Sequence, residues 1–294
     1  MDTYSTKVLR EGLGFGESPR WHGGRLWFSD FYRKAVYSVR ADGTDERLEH
    51  HVEAQPSGLG WLGNGDLLCV SMTDHRVLRL AGAATETWSD ISEYCGFWAN
   101  DMVVAPSGHA YVGNFGFDLD TLLAEQGPEG LLATPPPTTH LVVLDPSGQV
   151  IQAVPDMAFP NGSVITPDRR TLIVGETMGF RLTAFTINDD GTLADRRLWA
   201  QLDFVATDGA CLDAEGQMWV ANALTNECLR VREGGEITAR VTTNQRAFAC
   251  MLGGDDRRTL YVMTAPTSDR FQIAGQTLGA IEAAEVAVPG AGWP

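Results

Sequence analysis

Six recurring positions along the chain carry side chains that are unusually polar for the start of a β-strand. The residues at these positions are Glu17, Ser57, Asn100, Asn161, Asp208 and Phe248. Five of the six bear side-chain oxygens, and the carboxylate and amide oxygens among them are ligands that Ca²⁺, Mg²⁺ and Mn²⁺ prefer. A bound cation would also relieve the repulsion between Glu17 and Asp208. The alternative is that these groups hydrogen-bond to one another and to water in a wet channel.

Each of these positions opens a unit of similar pattern, and the units begin 40–61 residues apart. A short apolar strand is followed by a turn that contains Gly or Asp, and then by a strand rich in Trp, Tyr, Leu and Val. Several strands in a unit of about 40–50 residues are typical of a β-propeller. The pattern therefore predicts an all-β fold, a six-bladed β-propeller spanning residues 1–294 as a single domain. A β-sandwich would not require a repeat in register.

In such a fold the first strand of each blade lines a central channel, so the six positions would form a ring and the channel would bind a metal. Residues 1–16 are expected to supply a strand that closes the ring against the C-terminal segment. The longest interval contains an insertion at about 116–139, with a short helix predicted over Asp118–Gln126 and a stiff return at Pro135–Pro137. An insertion of this length is typical of a lid, and the alternative is a plain surface excursion.

Composition excludes several classes of function. The formal net charge of −16 opposes contact with nucleic acid or an anionic membrane surface. No apolar run approaches the length of a membrane span, and the N-terminal residues lack the apolar segment of a secretion signal. We expect a cytoplasmic protein without a nucleic-acid or membrane partner. The five cysteines are expected to be buried, reduced thiols, with one disulfide as the alternative.

Four short motifs at blade spacing carry a family resemblance. They are GESPRW from Gly16, NDM from Asn100 with YVGN from Tyr111, FPNG from Phe159 and ATDG from Ala206. In this order and register the chain resembles the gluconolactonase/SMP-30 (regucalcin-like) family from about Glu17 to Ala265. Each motif is weak alone, but the ordered set is specific.

The resemblance implies a six-bladed propeller with one divalent cation in its channel and a metal-dependent lactonase activity. It implies that Glu17, Asn161 and Asp208 are core metal ligands, that Asn100 contacts the substrate or the metal, and that Asp208 is the general base. The oxygen-only ligand set favours Ca²⁺ and leaves Mg²⁺, Mn²⁺ or Zn²⁺ possible. The expected partner is a small-molecule lactone or ester, whereas the oligomeric state is not predicted.

The chain departs from the sugar lactonases at one informative position. Those proteins often carry an arginine two residues before the Asn-Asp pair, and this chain has Trp98 there. An indole offers a single donor and a large apolar face, so we expect a substrate that is more apolar than a simple aldonolactone. Candidate substrate-binding residues are Trp98, Asn100, Asp101 and Asp118. The alternative for Asp101 is a role in bracing the channel, and the alternative for Trp98 is packing between blades.

Other catalytic mechanisms have less support from the sequence. The six histidines do not recur at one blade position, and no G-x-S-x-G sequence is present. Two functions from other classes remain as alternatives. One is a non-catalytic propeller that binds Ca²⁺ or a small ligand, and the other is a biosynthetic enzyme similar to strictosidine synthase. The Glu17, Asn100, Asn161 and Asp208 set favours the hydrolase.

Overall fold

The strands of the molecule form six sheets around one axis. The computed structural model describes residues 1–82 and 84–292. The innermost strand of each sheet contacts the innermost strand of the next, and the sixth contacts the first, so the sheets form a closed ring. The predicted six-bladed β-propeller is therefore confirmed.

The first three blades each have four antiparallel strands. From the innermost strand outwards, they are β3 Gly16–His22, β4 Arg25–Asp30, β5 Ala35–Val39 and β6 Arg47–His51 in blade 1, β7 Pro56–Trp61, β8 Leu67–Ser71, β9 Arg76–Ala81 and β10 Ala84–Asp90 in blade 2, and β11 Ala99–Val104, β12 Ala110–Asn114, β13 Thr139–Leu144 and β14 Val150–Met157 in blade 3.

Blades 5 and 6 incorporate the N-terminal strands β1 Asp2–Ser5 and β2 Lys7–Leu13, respectively, as their outermost members, whereas blade 4 has four strands of its own. The remaining strands are β15 Pro160–Ile165, β16 Thr171–Glu176, β17 Arg181–Ile187 and β18 Leu193–Gln201 in blade 4, β19 Thr207–Leu212, β20 Met218–Asn222, β21 Glu227–Val231 and β22 Ile237–Thr242 in blade 5, and β23 Arg246–Gly253, β24 Thr259–Ala265 and β25 Gly279–Glu285 in blade 6. Short 3₁₀ turns span Ser92–Tyr94 and Thr177–Gly179.

The N-terminal segment closes the ring, as expected from the sequence. Strand β2 pairs antiparallel with β25, with Lys7 opposite Ala283, and so completes blade 6. Strand β1 pairs parallel with β22 and adds a fifth strand to blade 5. Because these pairings join the two ends of the chain, the propeller avoids an open seam between its first and last blades.

Every inner strand bulges where it carries its ring residue. From Ala99 to Met102, strand β11 advances by three residues while its partner β12 advances by two, so β11 carries one extra residue. The same extra residue occurs on β15 and β19. Register shifts at corresponding places occur on β3, β7 and β23. A bulge bends its strand and re-aims the side chains beside it. The bulges therefore decide which side chains point into the channel.

Glycine follows the ring residue where adjacent inner strands approach most closely. A Cβ atom on Gly162 would lie 2.3 Å from the Asp208 carbonyl oxygen of the next blade. A Cβ on Gly58 would lie 2.3 Å from the Met102 backbone nitrogen. Only glycine permits these approaches without moving the neighbouring strand. The Asn-Gly and Asp-Gly pairs of the motifs thus combine a polar ring residue with close packing at the axis.

The insertion between β12 and β13 contains helix α1, Leu119–Ala133, which is kinked at Gly127 and Pro128. The side chain of Asp118 caps its N-terminus by accepting a hydrogen bond from the Thr121 N–H at 3.2 Å. The predicted helix is therefore present, and it continues past the kink. A second short helix, α2 Arg270–Ile273, lies in the loop between β24 and β25.

All five cysteines are free, and four of them are buried, which agrees with the expected reduced thiols. Within residues 1–82 and 84–292, no helix combines the length and apolar character that a membrane crossing requires.

We predict that Gly162→Ala destabilises the protein by about 1–3 kcal/mol, because the added Cβ would overlap the backbone of the next inner strand. Gly63→Ala is the matched control, since a Cβ there has no atom within 4 Å. Urea unfolding monitored by tryptophan fluorescence measures both variants. Equal stability of the two variants would contradict the close approach of the inner strands.

Candidate metal centre and substrate cavity

Four of the ring residues share one cavity at the start of the inner strands. Glu17, Asn100, Asn161 and Asp208 are the second residues of β3, β11, β15 and β19, and all four line one cavity that is partly open to solvent. The structure thus brings together the four predicted metal ligands from four different blades.

The other two ring residues differ in role. Ser57 lies behind the wall and its hydroxyl donates to Asn100 Oδ1 at 3.4 Å. Phe248 lines the cavity and makes one side of it apolar. The donor set therefore comes from blades 1, 3, 4 and 5.

Local backbone structure holds the Glu17 carboxylate. The following residue, Ser18, has a φ of 48°, which is uncommon for a non-glycine residue. In this conformation the Ser18 N–H donates to Glu17 Oε2 at 2.9 Å, and the Ser18 hydroxyl donates to Asp101 Oδ1 at 3.0 Å. Burial, and next the charge of Asp208, raise the pKa of Glu17 well above its ordinary value. Arg20 opposes this shift only weakly.

Asp208 is also held in a state that disfavours its negative charge. Burial, and next the charge of Asp101, raise its pKa to about 8, while the Asn161 side chain and the Gly209 N–H act in the opposite direction. Two carboxyl groups that both resist ionisation therefore share the cavity. A positive charge beside them would favour the ionised form of both groups and so oppose both shifts.

The two asparagines are oriented by neighbouring hydroxyl groups. Asn161 Nδ2 donates to Thr177 Oγ1 at 3.1 Å, and the Thr177 hydroxyl donates to the Thr207 carbonyl at 2.7 Å. Because the amide nitrogen is used in this way, the Asn161 carbonyl oxygen is left as the ligand atom. Sequence reasoning did not identify Thr177, which lies just after β16 and also lines the cavity.

The donor chemistry fits a hard divalent cation. Two carboxylates and two amides supply only oxygen atoms, and both carboxylates are destabilised in the absence of a counter-charge. In the described part of the chain, no group of three or more His, Cys, Asp or Glu side chains is placed to hold a metal. The candidate site is accordingly a mixed carboxylate and amide site, the type to which Glu17, Asn100, Asn161 and Asp208 belong.

Aromatic rings form most of the remaining wall. Trp98 lines the cavity, stacks on Phe97 with ring centroids 4.7 Å apart and meets Phe115 edge-on at 6.4 Å. The aromatic residues on the wall are Phe15, Phe31, Tyr32, Phe97, Trp98, Phe115, Phe159 and Phe248. This part of the wall therefore offers planar, apolar surfaces for contact.

Asp101 is on the side of the channel wall away from the cavity. Its carboxylate accepts from Arg20 Nη2 at 2.9 Å, from the Ser18 hydroxyl and from the Met102 N–H at 2.8 Å. Arg20 is itself buried and also donates to the Leu59 and Met102 carbonyls. These contacts correspond to the bracing role, since they tie blades 1, 2 and 3 together beneath the donor set.

Asp118 is likewise absent from the cavity wall. Both of its oxygens are used by Arg270, at 2.6 and 2.7 Å, and by the N-terminus of α1. The residues of this segment that line the cavity are Leu119 and Asp120. No signal in the sequence distinguishes Asp118 from Asp120, because the choice depends on a contact with a residue about 150 positions away.

Comparisons with known proteins agree with this architecture. The family model described as SMP-30/Gluconolactonase/LRE-like region matches residues 15–266. Regucalcin of Xenopus laevis is 25% identical over 267 residues, which cover 88% of this chain and 85% of that protein.

Solved structures show the same fold. A regucalcin of Agrobacterium tumefaciens, described as a calcium-binding protein, superposes with a TM-score of 0.80 at 18% identity and covers 100% of this chain and 98% of that one. A gluconolactonase of Xanthomonas campestris superposes with a TM-score of 0.73 at 22% identity, over 96% and 89% of the two chains.

We predict that CaCl₂ raises the melting temperature more at pH 8 than at pH 5. The raised pKa values mean that the cation-free folded state holds protons that the unfolded state releases, so its stability falls as the pH rises from about 4 to about 8. Cation binding requires the deprotonated carboxylates and restores that loss. Thermal melting with and without CaCl₂ measures the effect.

Asp208→Asn should abolish most of this stabilisation, whereas the matched substitution Asp203→Asn, on an exposed side chain, should retain it. Equal stabilisation of the two variants would contradict the assignment of Asp208 as a ligand.

Proposed function

The chain belongs to the SMP-30/gluconolactonase/LRE-like family, and we propose that it is a hydrolase that opens a lactone or related cyclic ester with one divalent cation, preferably Ca²⁺. The observation that carries this proposal is the convergence of Glu17, Asn100, Asn161 and Asp208 on one cavity. Family membership supports a lactonase-type hydrolase, and the cation, the base and the substrate class are the finer parts of the proposal.

Each residue of the donor set has a distinct task. Glu17, Asn100, Asn161 and Asp208 would hold the cation, which when bound polarises the ester carbonyl and stabilises charge on its oxygen. Asp208 also accepts a proton from the attacking water. The water oxygen bonds to the carbonyl carbon and the ring C–O bond breaks. The proton then passes from Asp208 to the released alkoxide, and the product is a hydroxy acid.

The aromatic wall supports a substrate that is more apolar than an aldonolactone. Trp98 occupies the position where sugar lactonases often carry an arginine, and it contacts Phe97 and Phe115 instead of offering several donors. Rings of this type contribute apolar area and stacking to a planar ligand. An aromatic or alkyl-substituted lactone matches the wall better than a polyhydroxylated one.

The segment that contains α1 acts as a lid over this cavity in the proposal. Leu119 and Asp120 contribute to the wall from above the inner strands, so the helix limits access of water to the ester. Asp118 then serves the lid through its bond to Arg270, and Asp101 serves the donor set through Arg20.

We predict that Asp208→Ala lowers kcat/KM for any hydrolysed lactone by at least about 100-fold, since it removes both a ligand and the base. Chelation should abolish turnover, and CaCl₂ should restore it. A pH-stat assay with a panel of lactones and esters measures both effects, with Asp203→Asn as the control.

Full turnover by the Asp208→Ala protein, or in the presence of chelator, would refute the mechanism. Tight Ca²⁺ binding without turnover of any member of the panel would instead identify a non-catalytic binding protein.

We predict that Trp98→Ala raises KM for an aromatic lactone by about tenfold and changes kcat less, because it removes a stacking surface and leaves the donor set in place. The matched control is Trp61→Ala. Trp61 is the last residue of the inner strand β7, at the end away from the cavity, and it stacks on His22. Steady-state kinetics with dihydrocoumarin and with γ-butyrolactone separates the two outcomes. An equal change for both substrates would contradict a role for Trp98 in recognising aromatic substrates.

A further inference from the structure

Two loops from opposite blades meet at the mouth of the cavity. One is the insertion of blade 3, which carries α1, and the other is the β24–β25 loop of blade 6, which carries α2. Arg270 of α2 forms a two-pronged ion pair with Asp118, with Nη1 to Oδ1 at 2.6 Å and Nη2 to Oδ2 at 2.7 Å. Because blades 3 and 6 face each other in a ring of six, this pair joins the two sides of the mouth.

The ion pair between Arg270 and Asp118 leaves a second carboxylate, that of Asp120, with free capacity to accept hydrogen bonds. Asp120 is only 12% exposed and lines the cavity, yet its Oδ2 lies 3.4 Å from Arg270 Nη1, which is longer than an ordinary charge-assisted hydrogen bond. Arg270 is already committed to Asp118 and also donates to Thr121 Oγ1 at 3.1 Å. Asp120 therefore faces the cavity with acceptor positions that its protein partner does not fill.

The surroundings make a carboxylate at this point costly without a ligand. Arg270 lies over the Trp98 ring at 5.1 Å and over Phe97 at 5.8 Å, so the wall beside Asp120 is largely aromatic. Burial is the main cause that raises the pKa of Asp120 to about 6, and the charges of Asp269 and Asp118 add to it, whereas the charge and the backbone N–H of Arg270 act in the opposite direction. A buried acceptor in apolar surroundings is stabilised when a donor pairs with it.

Two hydroxyl groups share this end of the cavity with Asp120. Tyr32 and Ser268 also line the wall, and the charge of Asp120 contributes to the raised pKa of Tyr32 after burial. These groups belong to the loops of blades 1 and 6 and to α1, whereas the candidate metal ligands begin the inner strands. The cavity thus has one set of polar groups from the inner strands and another from the loops and α1, and aromatic rings form the rest of its wall.

We propose that Asp120 is a specificity-determining residue, and that the substrate is an apolar or aromatic lactone with a hydroxyl or ammonium group at the end remote from its ester. An ionised carboxylate only accepts hydrogen bonds, so it selects a donor at that end. A substrate with a carboxylate there would be repelled by Asp120 and Asp118. This inference rests on the proposed function for the ester end of the molecule and on Asp120 for the other end.

The first test compares dihydrocoumarin with derivatives that carry a hydroxyl or a carboxylate on the benzene ring. The wild-type protein should prefer the best hydroxylated isomer over the unsubstituted lactone by at least tenfold in kcat/KM, and should disfavour the carboxylated one. Asp120→Ala should reduce the preference for the hydroxyl group to nearly one. Glu125→Ala, an exposed position on the same helix, should retain the full preference.

The second test does not require turnover. Calorimetric titration with the corresponding hydroxylated lactam should give a Kd at least tenfold weaker for Asp120→Ala than for the wild type, and Asp120→Asn provides a second variant of similar shape. If the lactam binds in an Asp120-dependent manner but no lactone is hydrolysed, the recognition site stands and the proposed hydrolase is wrong.

Two results would overturn the inference even if metal-dependent lactonase activity is found. One is a wild-type protein without preference for the hydroxylated compounds. The other is a preference and a lactam affinity that Asp120→Ala leaves unchanged. Thermal melting of each variant verifies that the comparison is made between folded proteins.

Discussion

The placement of two carboxyl groups, Glu17 and Asp208, in surroundings that disfavour their charge is the constraint on which the rest of the site depends. Glu17 and Asp208 come from blades that are far apart in sequence, and each is destabilised as an anion by burial and by a neighbouring negative charge. A fold tolerates such a pair only if the surrounding backbone prevents the groups from separating or if a counter-charge is supplied. The closed ring does the first, and the oxygen donors of Asn100 and Asn161 make the second possible.

The ring restrains these groups through features that are individually small. The bulge on each inner strand directs a ring residue toward the axis, and glycines such as Gly162 allow neighbouring strands to approach within a distance that a Cβ would prevent. Beneath them, Arg20 ties three blades together through Asp101. Strand β2 locks the sixth blade to the N-terminus. Movement of one carboxylate away from the other would therefore disturb several blades at once.

The sequence was sufficient to predict the fold and the four polar residues that line one cavity, because both follow from a pattern that repeats once per blade. The equivalent position in each blade, from Glu17 in blade 1 to Phe248 in blade 6, identifies residues that the fold must bring together. The same logic fails for Asp118 and Asp120, which lie in an insertion that has no counterpart in the other blades. Their roles are decided by Arg270, about 150 residues away, and no periodic pattern encodes that contact. Asp101 was ambiguous for a similar reason, since its partner Arg20 is 81 residues distant.

This difference between repeated and inserted parts suggests a division of labour within the cavity. Residues that recur on the inner strands are constrained by ring closure, so the donor set can hold charge in one geometry. The α1 and α2 segments are constrained mainly by the Arg270–Asp118 pair and by aromatic contacts with Trp98, so their sequences can change without disturbing the axis. Reaction chemistry and substrate choice would then reside in separate structural layers. Asp120, on the inserted layer but facing the shared cavity, is the residue at which the two layers meet.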